Sequence, residues 1–370
     1  MKDRYVPVYE GKSYTCVLAV SDDAAQVEEM LLESPMQGWV RLAFSLGPPG
    51  IPKAESDKNI VLVKENKPPH EPVALYAFER MRLYINGMPT DVVYLGLLRV
   101  RPAFRKRIAV LRDAFASIPY FTKALGLPER YFTSVGADNF PARRILETGL
   151  KQLPRYAFQG EMHSMAFSTA LGKNYGLLET ARNEDWSELE EFLNNQARKF
   201  QYAPVLGKIV LAQHTGEINI RDFLLLRQNG RLRACLALWG CQSRPIIVAG
   251  YRQPLETLRP LYNVWARVRQ LPALPQPGTE LQSVSLAFTA FAPDAIPLAR
   301  QCLLDALYRV RRTRRAATAI TGLNVQNPLY EVFRKLPCST YVTRIESVDW
   351  DKNAPAPTSS LAVQPEIALL

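Results

Sequence analysis

The stretch YLGLLRVRPAFRKRIAVL, Tyr94 to Leu111, decides how the chain is read. An apolar, strand-like run reaches Pro102, three cations follow at Arg105, Lys106 and Arg107, and an amphipathic helical pattern then begins. A strand that ends in positive charge where a helix starts sets side-chain cations beside uncompensated backbone amides. That combination holds phosphate. An ordinary solvated cationic rim has the same composition, so the surroundings must decide.

Outward from this stretch, strands are expected near Ile60 to Lys64, Val73 to Ile85 and Val92 to Arg101, with Asn86-Gly87 supplying the positive-φ pair of a tight hairpin. Helical periodicity covers Ala24 to Leu32 and about Phe104 to Ala116. RYFTSVGADN then leads as a strand into a helix PARRILETGL, whose Pro141 suits a helix start, and PRYAFQGEMHSMAFS closes the segment. The same order returns downstream. EDWSELEEFLNNQARKF is helical, RDFLLLRQNGRLRACLALWG is a hairpin about Asn229-Gly230, and LQSVSLAFTAF precedes PDAIPLARQCLLDALYRVRR. AATAITGLN precedes NPLYEVFRKL. The strand-to-helix junctions fall at Asn139 and Asn324, and 324 − 139 = 185 is half of 370, the spacing of a tandem duplication.

Hairpins with one helical crossover in each half imply an α/β fold in which each unit is a mostly antiparallel twisted sheet flanked by helices. The units are expected at residues 14–170 and 177–350, divided where STALGKNYG interrupts the pattern. Residues 351–370, rich in Pro, Ser and Ala, read as a flexible tail. A chain of 370 residues supports two such cores.

No apolar run reaches the roughly 18 residues of a spanning helix, and the polar opening MKDRYVPVYEGK is not a signal peptide, so a cytoplasmic protein is expected. The net charge of +11 attracts anions of several kinds: nucleotides, an acidic carrier protein, nucleic acid or an anionic membrane. Cys16, Cys235, Cys241, Cys302 and Cys338 show no CxxC spacing, and His70, His163 and His214 lie far apart. Neither a disulfide frame nor a metal centre is expected.

The order of elements and two motifs resemble the GNAT superfamily of N-acyltransferases, as a tandem pair covering most of residues 14–350. That family's loop V-x-P-x-x-R-G-x-G-x-G/A, which holds the pyrophosphate of coenzyme A, is matched by Val100, Pro102 and Arg105, with the aromatic Phe104 between them. Its later motif N-x-x-A, with glycine soon after, is matched by Asn139, Ala142 and Gly149. Where the family carries glycines, this chain has Lys106, Ile108 and Val110, which narrow the backbone nest. The reading assigned to Arg105, Lys106 and Arg107 is therefore a side-chain anion clamp.

The resemblance implies direct attack of an amine of a small molecule, peptide or protein on an acyl-CoA or acyl-phosphopantetheine thioester. The donor site then comprises Leu98, Arg99, Val100, Arg105, Lys106, Arg107, Ile108, Ala109, Asn139 and Arg143 in the first half, with the second half shaping the acceptor side. Backbone amides around Leu98 to Val100 are the oxyanion contact. Glu79, Glu161 and His163 are the candidate bases, and Tyr94, Tyr131 and Tyr330 the candidate acids for the leaving thiolate; as strand or helix residues, all also fit plain surface or packing roles. Leu146 stands where many relatives carry that tyrosine. The apolar elements LYNVWARVRQLPALP and DFLLLRQ are candidates to line a groove for a fatty chain, though such patterns also mark core. Loss of the loop glycines favours an acyl carrier protein as donor, whose acidic helix would meet a cationic face, and a divergent tandem fits natural-product or peptide modification.

Two other classes compete. Five arginines between Arg309 and Arg315 would suit an aminoacyl-tRNA-dependent transferase or another RNA-binding protein. Weak glycine loops in both halves would suit a non-catalytic scaffold.

Overall fold

A computed structural model describes residues 7–36, 39–47, 50–51, 57–147, 149, 153–207, 218–240, 245–351 and 360–370. His214 and Cys241 lie outside the described residues. The first half runs β1 (Val8–Glu10), β2 (Tyr14–Leu18), α1 (Ala24–Glu33), β3 (Val40–Phe44), β4 (Lys58–Glu65), β5 (Pro72–Ile85), β6 (Met88–Val100), α2 (Ile108–Ala124), β7 (Tyr131–Gly136), α3 (Phe140–Glu147) and β8 (Arg155–Ser168). The second runs β9 (Glu179–Thr180), α4 (Trp186–Ala197), β10 (Phe223–Gln228), β11 (Arg231–Trp239), β12 (Ile246–Tyr251), α5 (Leu255–Arg269), β13 (Ser283–Phe291), α6 (Ala299–Arg309), β14 (Thr318–Leu323), α7 (Pro328–Phe333) and β15 (Cys338–Asp349).

Both hairpin signals hold. Asn86 and Gly87 take φ 50° and 77°, and Asn229 and Gly230 take 52° and 74°, as a tight turn matched to strand twist requires. The helix expected over Phe104 to Ala116 starts four residues later, because Pro102–Phe104 forms a short 3₁₀ turn, and it continues through Pro119 to Ala124. A proline inside a helix leaves the carbonyl four residues back without its N–H donor. Here that carbonyl is Phe115's, and the indole Nε1 of Trp350 donates to it at 3.2 Å.

The described strands form one thirteen-stranded sheet in the order β1-β2-β4-β5-β6-β7-β15-β8-β14-β13-β11-β10-β9, with β3 and β12 as a separate pair. The two halves exchange their last strands. β15 pairs with β7 of the first half, β8 pairs with β14 of the second, and the two long strands pair antiparallel with each other from Cys338↔Phe167 to Asp349↔Arg155. Among the described strands, only β6–β7 and β13–β14 pair parallel within this sheet.

Alternating residues send two apolar layers to opposite faces. On β10, Leu224 and Leu226 join α6 and α7, while Leu225 joins α4, Met81, Val92 and Phe132. That second cluster takes side chains from both halves. Two buried aspartates anchor the repeats in the same way: Asp113 on α2 accepts from the Ser13 and Tyr14 amides at 2.9 and 3.1 Å, and Asp305 on α6 accepts from Leu177 and Leu178 at 3.0 and 3.1 Å. Each carboxylate pins the chain entering its repeat.

The tail expected over 351–370 is corrected for residues 360–370. Val363 and Leu369 are buried in the cluster shared by the halves, and Gln201 exchanges backbone hydrogen bonds with Ala362 and Gln364. The Pro/Ser/Ala composition of the preceding residues concealed this short apolar segment; residues 352–359 lie outside the described set.

The arginine cluster is also corrected in part. Arg309 donates to the Leu178 carbonyl and Arg314 pairs with Asp222, so these two guanidiniums tie elements together. Arg311 rests over the Tyr308 ring.

Candidate functional site

β6 and β7 pair only at Val93↔Tyr131, Tyr94↔Phe132 and Leu95↔Thr133, after which they part. The cause is local. Leu97 adopts φ 54°, and the register against β5 shifts between Leu75 and Ala77, so a bulge turns β6 away from its neighbour. A leucine in the left-handed region is strained and persists only where its surroundings fix it, which is common at functional clefts. Thr133 Oγ1 donates to the Leu95 carbonyl at 2.7 Å and marks the apex of the V.

On one face of this V the Tyr94 hydroxyl meets Ser134 Oγ at 2.7 Å, bridging the two strands. The Tyr94 ring lies over Gly96, where a Cβ would come within 2.9 Å of it. Glu79 stands directly opposite Tyr94 on β5, hence on the same face. Glu79, Tyr94 and Ser134 thus form a row across three strands. Further out, Tyr341 of the exchanged β15 covers Gly136, with its hydroxyl 2.0 Å from where a Cβ would be. Burial, with a contribution from Asp138, pushes the Tyr341 phenol up to about 12. Asp138 Oδ1 is buried without a hydrogen-bond partner.

The three cations stand at the start of α2, beyond the Leu98–Val100 wall. Arg105 Nε donates to the Val100 carbonyl at 3.3 Å, Arg107 pairs with Glu65 at 3.5 Å and stacks on Phe104 at 4.4 Å, and Lys106 is exposed. The N-cap of α2 is Arg107, which supplies no side-chain acceptor, and the first turn has no acid. The positive helix end therefore faces outward uncompensated by its own side chains, beside Ile108 and Ala109. Arg99 points elsewhere: Nη1 donates to the Leu98 carbonyl at 3.0 Å, the guanidinium lies 6.0 Å from the Phe44 ring, and burial lowers its pKa. Asn139 Oδ1 accepts from Ala142 N at 3.3 Å, and Arg143 donates to the Ala137 carbonyl at 3.0 Å, so both shape the β7–α3 turn.

The second half contains the corresponding V. β13 and β14 pair at Ser283↔Thr318 to Ser285↔Ile320, and Phe288, at φ 50°, is the counterpart of Leu97. This V is filled by the chain itself. The Phe288 amide donates to Glu366 Oε2 at 2.6 Å, Gln364 Nε2 donates to the Gly322 carbonyl at 2.8 Å, and Gln364 Oε1 accepts from Asn324 N at 3.0 Å. Ile367 packs where a Cβ on Gly322 would lie, 2.3 Å from its methyl. Burial drives the Glu366 carboxyl up to about 7, against the backbone amides of Phe288, Ala368 and Ile367 that favour its anion.

Asn324 is not the counterpart of Asn139. Asn327 caps α7 through Leu329 N, and its own amide bonds three residues back to Asn324, as that of Asn139 does to Gly136. The repeat offset at this turn is therefore 327 − 139 = 188.

The remaining sequence candidates form a different cluster. His163 and Glu161 on β8 lie with Tyr330 of α7, with Tyr330 OH 3.3 Å from His163 Nδ1 and Glu161 Oε2 4.0 Å from Nε2. Burial lowers the His163 pKa and the Glu161 charge partly restores it. Tyr330 also borders an open cavity of about 510 Å³ with Arg334 and Cys338. Tyr131 is structural: its hydroxyl bonds Thr122 Oγ1 at 2.8 Å and its ring packs edge-on against Trp350. The DFLLLRQ strand lies in the core, its three leucines buried. Ser134, the Leu97 bulge, Asp138, Tyr341 and the 360–370 segment were not singled out from sequence, because each acquires its position from a strand distant in the chain.

Solved structures share this fold. Saccharomyces cerevisiae N-myristoyltransferase with bound myristoyl-CoA superposes with a TM-score of 0.59 at 12% identity, covering 94% of this chain and 85% of that one. The fold is the tandem GNAT fold. A GCN5-related glucosamine N-acetyltransferase region of a fungal multi-domain β-N-acetylglucosaminidase superposes over 91% of this chain and 38% of that one, with a TM-score of 0.58 at 13% identity. No protein-family profile and no curated protein sequence matches the chain. The second V is the equivalent of the first, closed by residues 364–367.

Proposed function

We propose that the chain is an N-acyltransferase that moves an acyl group from an acyl thioester to an amine, with the donor held in the V between β6 and β7. The observation that carries this reading is the inequality of the two clefts. One opens between a strained bulge and an uncapped basic helix start, and the other has its bulge amide already bonded to Glu366. The structure of the yeast neighbour holds myristoyl-CoA, which supports a long-chain acyl-CoA donor here. A carrier-protein donor would present the same phosphopantetheine arm.

In this reading Arg105, Lys106 and the start of α2 bind the donor's phosphates, with Arg107 exchanging Glu65 for phosphate. The thioester carbonyl points at the bulge amides of Leu97 and Leu98, which stabilise the oxyanion as the amine nitrogen attacks. Glu79 receives the proton released by the amine. Collapse of the tetrahedral intermediate breaks the C–S bond, and Tyr94, hydrogen-bonded through Ser134, gives its proton to the departing thiolate. The products are an amide and a free thiol. The Glu161–His163–Tyr330 cluster lies against α7 and takes no part in this sequence. An RNA-binding reading is disfavoured because Arg309 and Arg314 are engaged within the fold.

Titration of CoA and of acyl-CoA into Arg105→Ala/Arg107→Ala tests the donor site. Both side chains are exposed, so solvent screening holds each contact to about 1 kcal/mol, and affinity is expected to fall about tenfold or more. Unchanged affinity overturns the assignment.

A further inference from the structure

We propose that α5 is an interfacial helix that docks the protein on an anionic lipid surface. This goes beyond the transfer reaction and does not depend on it. The helix is anchored by its inner face: Ala266 is fully buried, Asn263 exchanges two hydrogen bonds with Leu274 at 2.8 and 3.0 Å, and Arg259 reaches the Leu274 and Pro275 carbonyls. Its outward arc is apolar. Leu258, Leu261, Val264, Trp265 and Val268 are 46%, 69%, 68%, 49% and 78% exposed, and at 100° per residue they fall within one stripe of about 120°. A soluble surface helix places polar residues there; here the polarity is inverted on a helix whose inner contacts are complete.

Charge selects the occupant. From Arg252 to Arg269 the chain carries Arg252, Arg259, Arg267 and Arg269 against the single acid Glu256. Arg269, together with Trp265 and Arg334, also borders the open cavity beside the helix, so guanidiniums flank the apolar stripe at its C-terminal end. A second exposed tryptophan, Trp39 at 57%, lies just ahead of the helix, with its carbonyl accepting from Arg252 N and the Arg252 guanidinium 5.6 Å from its ring. An outward stripe of Leu, Val and Trp with arginines along its flanks fits the boundary between acyl chains and anionic headgroups: apolar side chains enter the hydrocarbon edge, and the guanidiniums meet phosphate.

Cosedimentation of the full chain with vesicles tests this, comparing phosphatidylcholine alone with phosphatidylcholine containing about one third phosphatidylglycerol. Binding to the anionic vesicles, weakened by salt and accompanied by a blue shift of tryptophan emission, is expected. Leu261→Ser/Val264→Ser/Val268→Ser leaves the net charge unchanged and alters only exposed side chains, so its heat-unfolding curve should coincide with that of the parent while vesicle partition falls at least tenfold. Arg267→Gln/Arg269→Gln should reduce the preference for anionic over neutral vesicles. The proposal is overturned if the parent stays in the supernatant with anionic vesicles, or if the triple variant partitions as the parent does. It is equally overturned if the stripe instead drives self-association in sedimentation velocity, abolished in the triple variant without any vesicle binding.

Discussion

Replacing Glu366 by glutamine should remove a specific part of the protein's pH dependence. The carboxyl accepts from the Phe288 amide in the second V, and desolvation raises its folded-state pKa to about 7 from an ordinary 4.5. Because the folded-state value is raised, the folded protein binds more protons than the unfolded chain between these limits, so stability falls as pH rises from about 4.5 to 7. Linkage over that interval amounts to about 3 kcal/mol. For a chain of 370 residues, an unfolding entropy of about 2.1 cal/mol/K per residue converts this to about 4 °C. Glutamine does not ionise. On going from pH 8 to pH 5, which spans about 2.5 kcal/mol of that linkage, the wild type should therefore gain about 3 °C in Tm relative to Glu366→Gln, measured by scanning calorimetry in matched buffers. Parallel Tm-against-pH curves for the two proteins would refute the burial of Glu366 against the Phe288 amide, and with it the closure of the second cleft.

Other outcomes follow from the same geometry. Asp113→Ala and Asp305→Ala each leave at least two amides, one of them buried, without an acceptor, which should lower unfolding stability by about 2–4 kcal/mol in denaturant titrations, with the Asn variants recovering part of it. Tyr94→Phe deletes the hydroxyl that bridges to Ser134; kcat should drop by about 10²-fold while the KM for the donor stays constant. A parallel rise in KM would mean that the hydroxyl binds the donor and does not protonate the thiolate.

The repeat and its hairpins were legible because their signals are local. Asn86-Gly87 and Asn229-Gly230 must adopt positive φ in a two-residue turn, and the strand–cation–helix order around Arg105 needs only neighbouring residues to be read. The strand exchange was not legible. The pairing of β15 with β7 and β8 joins residues 338 − 167 = 171 to 348 − 131 = 217 positions apart, and either strand alternates equally well in its own half. The site divided along the same line. Tyr94 and Glu79 come together because they share one hairpin, whereas Glu161 and His163 on β8 meet Tyr330 of α7 as a second cluster. Asn324 was matched to Asn139 on spacing alone, and the hydrogen bonds move the equivalence three residues on to Asn327. The closing segment was obscured by composition: Gln364 and Glu366 are polar in sequence and become enclosed only because a bulge amide and the Gly322 carbonyl await them.

The most direct measurement is a crystal structure with a non-hydrolysable thioether analogue of a long-chain acyl-CoA. Density for the diphosphate at the start of α2 and for the acyl carbonyl beside Leu97 and Leu98, with Glu366 still bonded to Phe288, is the expected result. Density instead between β13 and β14, with residues 364–367 displaced, would contradict the account.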